Sequence, residues 1–305
     1  MSGVFLLEQA LNGLQLGFML FLLAAGLTLV FGVMDMINLA HGSLYMVGAF
    51  LAAWLTAWTG SFFIGFAGGV VLTALFGMLL EITILRTLYV RDHLSQVLAT
   101  FALILILNDA VKMVFGNDLP LSAPAMFEGP VELMPGLLYS AWRLVIIGVG
   151  VAVAVLLYLL VQKTRMGALV RAGASNREMS MAMGVDVGRL FTLVFGLGAA
   201  LCAVAGSLLA PLLAVQVGMG ENILILAFVV IVIGGIGSIR GALVGALLVG
   251  VVDTLGRTLL QQALREALPP QWASAAGPAL ASMSVYLLMA VMLVLRPQGL
   301  FPVRA

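Results

Sequence analysis

KTRMGALVRAGASNREMSMAMGVDVGR, residues 163–189, is the stretch on which the fold turns. It carries Lys163, Arg165, Arg171, Arg177 and Arg189 against only Glu178 and Asp186. The flanking segments 143–162 and 190–212 are apolar and hold a single charge, Arg143. Each is about 20 residues long, the length of helix that crosses a bilayer. A basic loop between two such segments belongs to a chain that crosses the membrane repeatedly. Lys and Arg collect in cytoplasmic loops, so this loop is expected to face the cytoplasm.

Working outward, the whole chain has this character. Of its 305 residues 63% are hydrophobic and 9% charged, against about 25% charged in soluble domains. The expected fold is therefore all-α, a polytopic transmembrane helical bundle forming one domain over residues 1–305. Apolar segments fall at 11–33, 44–58, 62–80, 94–115, 143–162, 190–212, 222–233, 242–260 and 279–295. They make eight or nine membrane segments, some discontinuous. Residues 117–142 hold four of the ten prolines, three acidic residues and no Lys or Arg, which marks an external loop. Arg86 and Arg91 then fall inside, and Arg296 and Arg304 suggest a cytoplasmic C-terminus. No Lys or Arg precedes the first apolar stretch, so Leu11–Val33 reads as a retained span and not a cleaved signal. The net charge of +1 argues against nucleic acid, which needs dense phosphate-neutralising charge. Cys202 is the only cysteine and leaves no intramolecular disulfide possible.

Two segments are too short for ordinary spans. Residues 222–233 cover about 18 Å as helix against a hydrocarbon core of about 30 Å, and they run into Gly234-Gly235-Ile236-Gly237-Ser238. Residues 34–43 likewise precede the short segment 44–58. Irregular backbone at membrane depth is tolerated only where protein or a water-filled cavity covers it, and paired Gly-containing breaks point to a transport site. The candidate path residues are Asn38, His41 and Gly42 at the first break, Gly235 and Gly237 at the second, and Asn108 and Asp109 in span 94–115. Asn38 and His41, three apart, could present polar groups to a zwitterion or could satisfy backbone groups freed at the break. Asp109 and Lys112 read as an i, i+3 ion pair or as pore lining. Asp253 and Arg257 read as an i, i+4 pair. Gly237, Gly241 and Gly245 form a small-residue stripe suited to close helix packing, with a subunit seam as the alternative.

Within the basic loop, Ser175-Asn176-Arg177-Glu178 fits a capping box with Ser175 as N-cap, and Gly184 fits the left-handed position after the helix. Met179, Ala182 and Met183 share a face. So short a helix is unstable alone. It is either a connector under the protein's own body or a docking plug with an adaptable Met face for a soluble partner.

Thr164-Arg165-Met166-Gly167, Arg171 to Met179, and Met183-Gly184-Val185-Asp186-Val187 resemble the cytoplasmic motif of branched-chain amino-acid permeases of ABC importers. Gly26 to Val33 followed by Ile37-Asn38-Leu39-Ala40-His41-Gly42, the run Gly234–Gly245, and Arg296-Pro297-Gln298-Gly299-Leu300-Phe301 resemble the same family. The resemblance implies an inner-membrane permease that pairs with a second homologous permease above two ATP-binding subunits and receives solute from a periplasmic binding protein. It implies that Asn176, Arg177, Glu178 and Gly184, with Arg171, Met179 and Met183 around them, belong to the element that contacts an ATPase. There is no Walker A motif, no His-Glu-x-x-His and no Gly-x-Ser-x-Gly, so ATP, metal and triad chemistry have no visible support in this chain. The chain is expected not to be an enzyme and to hold no cofactor, ATP being bound by partners. The competing reading is a secondary carrier or channel without an ATPase partner.

Overall fold

The computed structural model describes residues 3–267 and 270–301; Arg304 lies outside the described residues. Its helices are α1 (Gly3–Met34), α2 (His41–Thr59), α3 (Phe62–Thr83), α4 (His93–Phe115), α5 (Ala141–Lys163), α6 (Arg165–Ser175), α7 (Arg177–Ala182), α8 (Val187–Leu209), α9 (Met219–Gly234), α10 (Ile239–Ala267) and α11 (Pro270–Leu295). The chain is an all-α polytopic bundle. Among the described residues six helices are long and apolar enough to cross a membrane: α1, α3, α4, α5, α8 and the Ile239–Leu264 part of α10. The apolar segments read from the sequence lie in helices, except that 190–212 runs three residues past the end of α8 at Leu209; α1 starts eight residues earlier than its apolar run, and α9 is as short as expected.

α1 is the axis of the bundle, almost wholly buried from Met19 to Val30. α10 runs antiparallel along it and α8 lies against another side, with α5 and α9 completing the surround. Without a hydrophobic drive between helices in lipid, such packing depends on small residues that let backbones approach. At Gly17 a Cβ would stand 2.9 Å from the Leu247 Cα, so any larger residue forces α1 and α10 apart. The Gly stripe of α10 packs against α9: a Cβ at Gly245 would lie 2.7 Å from the Val230 carbonyl oxygen. Gly237, by contrast, sits in the preceding turn, at φ +83°. α2, α3 and α8 form a second packed group, with α4 outside them.

Residues 117–142 are more structured than the expected loop. β1 (Asp118–Leu119) pairs with β4 (Val215–Gln216), and β2 (Pro130–Met134) with β3 (Leu137–Ser140) forms a hairpin. The hairpin turns at Gly136, where φ is +87°. The opposite end of the bundle is basic, carrying α6, α7 and the 3₁₀ turn Leu85–Leu88 after α3.

Candidate functional site

Both breaks lie near the C-terminal end of α1, just past its buried half. After Met34 the chain leaves the helix through Asp35, a non-glycine at φ +50°. The amides freed there are satisfied locally: Asn38 Oδ1 accepts from the Ala40 N–H at 3.0 Å, and the Leu39 N–H donates to Thr100 Oγ1 at 3.3 Å. Asn38 is thus a backbone cap at the break, although its Nδ2 is buried without a hydrogen-bond partner. His41 opens α2 deep inside the fold, its Nε2 3.0 Å from the Cys202 Sγ. Gly42 abuts α9, where a Cβ would meet the Gly220 carbonyl oxygen at 2.5 Å.

The second break follows α9 at Gly235, φ +102°. Its orphan carbonyls are taken by a later segment: the Leu300 N–H donates to the Ile233 oxygen at 2.9 Å and the Phe301 N–H to the Gly234 oxygen at 3.0 Å. Gly32 of α1 lies against this turn, its would-be Cβ 3.1 Å from the Gly237 Cα.

A cavity of about 1410 Å³ opens at the basic end between α1, α5, α6 and the second break. Its walls include Phe21, Leu29, Leu157 and Leu243, with Thr28 and Ser238 as polar points. Arg91, Arg171, Arg177 and Arg240 line it against one carboxylate, Asp35. That imbalance favours anionic groups near the mouth. Of the candidate path residues only Gly237 lines this cavity. Asn38 and His41 are buried in the core. Asn108 and Asp109 lie on α4 towards the opposite end, where Asn108 Nδ2 donates to Glu221 Oε1 at 2.7 Å. The expected Asp109–Lys112 ion pair does not form: both residues are exposed on α4, and no salt bridge joins them. The Asp253–Arg257 pair does form, at 2.9 Å.

The basic loop holds two helices where one was expected. Thr164 caps α6 by accepting from the Gly167 N–H at 3.1 Å. Ser175 is not an N-cap, since it ends α6; Asn176 caps α7, accepting from the Met179 N–H at 2.8 Å. The Asn side chain outcompetes the neighbouring Ser because α6 runs on through position 175. Gly184 takes φ +85° as expected, with Gly184 N–H on the Met181 oxygen and Val185 N–H on the Ser180 oxygen closing a Schellman motif. Arg171 donates to the Val161 carbonyl. Arg177 lies over the Phe191 ring, 4.9 Å from its centroid. Glu178, Met179, Met181 and Met183 are exposed, Met183 at 79%.

Beside this loop lies a cluster the sequence reading missed. Glu81, fully buried near the end of α3, receives Arg86 Nε at 3.2 Å, Arg86 Nη2 at 3.0 Å, the Tyr89 hydroxyl at 2.8 Å and the Thr192 hydroxyl at 2.6 Å. Tyr89 meets Phe191 edge to face at 5.3 Å, the same ring that carries Arg177. Burial, reinforced by the bond to Glu81, pushes the Tyr89 phenol well above its ordinary value. The signal was a lone carboxylate inside an apolar span five residues before an arginine, a spacing that faces no helical partner until the chain tightens into the 3₁₀ turn.

Residues 9–295 match the family described as "Branched-chain amino acid transport system / permease component". The chain is 34% identical to "High-affinity branched-chain amino acid transport system permease protein BraD" of Pseudomonas aeruginosa, over 82% of this chain and 86% of the relative. It is 30% identical to "High-affinity branched-chain amino acid transport system permease protein LivH" of Escherichia coli, over 84% and 88%. A "Probable branched-chain amino acid transport permease protein LivH" of Methanocaldococcus jannaschii is 29% identical over 78% and 76%. With nearly its full length matched and both breaks and the basic loop inside the match, this chain belongs to the branched-chain amino acid transport system permease family.

Proposed function

We propose that this chain is the permease subunit of an ATP-driven importer that moves branched-chain amino acids or related small solutes across the bacterial inner membrane by alternating access. The observation that carries the reading is the pairing of a basic-end cavity with a capped, methionine-faced helix beside it in a member of this permease family. The nine apolar helical segments make eight or nine crossings, α9 being incomplete. The basic end, with residues 163–189 and the segment around Arg296, faces the cytoplasm, and residues 117–142 face outside. The cavity is then the inward-facing part of the path.

α7 is the docking element. Its exposed Met179, Met181 and Met183 offer an adaptable apolar surface to a groove on an ATP-binding subunit. Arg177 transmits displacement of α7 through Phe191 and Tyr89 to Glu81, tying the docking helix to α3 and α8. The partners are a second homologous permease, two ATP-binding subunits and a periplasmic binding protein. ATP is bound and hydrolysed in those partners, and this chain supplies a packing change and no covalent chemistry. Asn38, His41, Gly42, Gly235 and Gly237 act at the breaks that this change opens and closes, and Asn108 and Asp109 act at the outer mouth.

Uptake of labelled leucine by cells with and without the chain, before and after ATP depletion at held membrane potential, tests this. Uptake should require both the chain and ATP. Uptake that survives ATP loss and collapses with the ion gradient would make the chain a secondary carrier.

A further inference from the structure

We infer that the exposed face of α4 is the seam with a second permease subunit of the same fold, closed by cross-seam pairing of Asp109 and Lys112 with an acid and a base at matching depth. The inference rests on the permease reading and adds to it where the second subunit sits and what holds it.

Among the described residues α4 packs to any extent against α2 alone, whereas α3 is held by α2 and α8. Its outward face presents Leu94, Leu98, Phe101, Leu105 and Met113. Lipid could cover those side chains, but it cannot cover what lies between them. Asp109 and Lys112 are both exposed on α4, and no ion pair joins them to each other or to any other described residue. Among the described residues the lipid-suited faces of α3 and α5 lack this feature. α3 buries its one carboxylate, Glu81, and α5 carries charge only at its ends, Lys163 and an Arg143 that is bonded to Asn12.

Depth argues against a soluble occupant. Trp54 stacks on Trp58 and meets Phe115 at 6.2 Å, an aromatic cluster of the kind that marks the membrane interface. Asp109 lies six residues before Phe115 on α4, about 9 Å deeper along the helix, and Lys112 about 4.5 Å deeper. Lys112 can reach the interface by its long stem, but a short Asp side chain cannot. An uncovered carboxylate at that depth is strongly disfavoured in lipid. A second polytopic subunit covers it. About a two-fold axis along the membrane normal, the two α4 helices stand side by side at equal depth in a self-complementary interface. The acid of one then faces the base of the other one helical step away, a rise of about 4.5 Å that a Lys side chain spans. The patch continues through Asn108 to Glu221 at the start of α9, beside the Gly42–Gly220 contact of the first break. The seam therefore encloses the outer mouth of the path.

The test is bifunctional maleimide cross-linking of Leu105→Cys in membranes holding the complete importer, with products identified by their peptides; native Cys202 is buried and unreactive from outside. Cross-linking to the α4 peptide of a second permease subunit, either another copy of this chain or its homologue given a cysteine at the matching position, is expected, as is loss of that product in Asp109→Lys. Leu156→Cys on the exposed, uncharged face of α5 should give none. Leu98→Cys, one heptad away on the same face, repeats the test if Leu105→Cys fails to insert. Product from position 156 but not from 105 or 98, or a position-105 product unaffected by Asp109→Lys, overturns the seam. Failure of the permease reading would show separately, as leucine uptake in the parent that does not depend on ATP.

Discussion

Replacing Arg86 with Leu should be among the most damaging changes at the basic end. Glu81 is fully buried, and two of its four hydrogen bonds come from Arg86. The variant leaves a buried carboxylate with only the Tyr89 and Thr192 hydroxyls. Removing one partner of a buried pair costs about 3–5 kcal/mol because the other charge is stranded. The Arg86 side chain is 43% exposed, so water can partly enter after its loss, and about 3 kcal/mol is the expected size. For a chain of this size that corresponds to a fall of roughly 5 °C in Tm, measurable by thermal unfolding of the detergent-solubilised protein. The pair Arg86→Leu with Glu81→Leu should recover most of the loss, since an apolar pair of similar volume is often no worse than the ion pair it replaces. If Arg86→Leu melts within about 1 °C of the parent, Glu81 does not depend on Arg86 for its charge and the reasoning fails.

Gly17→Val should cost about 1–3 kcal/mol by overpacking, because its Cβ starts 2.9 Å from the Leu247 Cα; a parent-like Tm would show that α10 yields freely. Met179→Glu together with Met183→Glu should abolish co-purification of an ATP-binding subunit while leaving Tm unchanged, since both side chains are exposed; unchanged co-purification would relegate α7 to a connector. Tyr89 holds its proton more tightly folded than unfolded. Its contribution is therefore full below the unfolded value of about 10 and declines as pH rises above it. The stability difference between the parent and Tyr89→Phe should accordingly shrink between about pH 9 and pH 11, and a constant difference would mean that the phenol is already solvated.

The apolar runs were legible because lipid demands long, uncharged helices, and the two breaks were legible because the polar stretch from Asp35 to Gly42 and the Gly-rich turn from Gly234 to Gly237 interrupt them. Harder to read was which polar side chains serve the backbone. Asn38 and Asn176 both turn out to be caps, and from sequence Asn176 lost that role to Ser175 because α6 was not foreseen: its Thr164 cap lacks the Glu that completes a capping box. Glu81 escaped notice because its partners come from a 3₁₀ turn and from Thr192 on α8, and no local period links them. The Asp109–Lys112 spacing suggested a pair, but spacing sets where two side chains could meet and not which way they point.

The carbonyls at the end of α9 are closed by the amides of residues 300 and 301. During synthesis, α9 leaves the ribosome well before that segment exists. The second break must therefore wait open, its polar backbone hydrated or held by the insertion machinery, until the residues after α11 arrive. Folding of this region is thus timed by translation: a nascent chain halted after α10 would keep α9 inserted but unsealed, and a bulky fusion placed directly after position 301 would hinder the step that seals it.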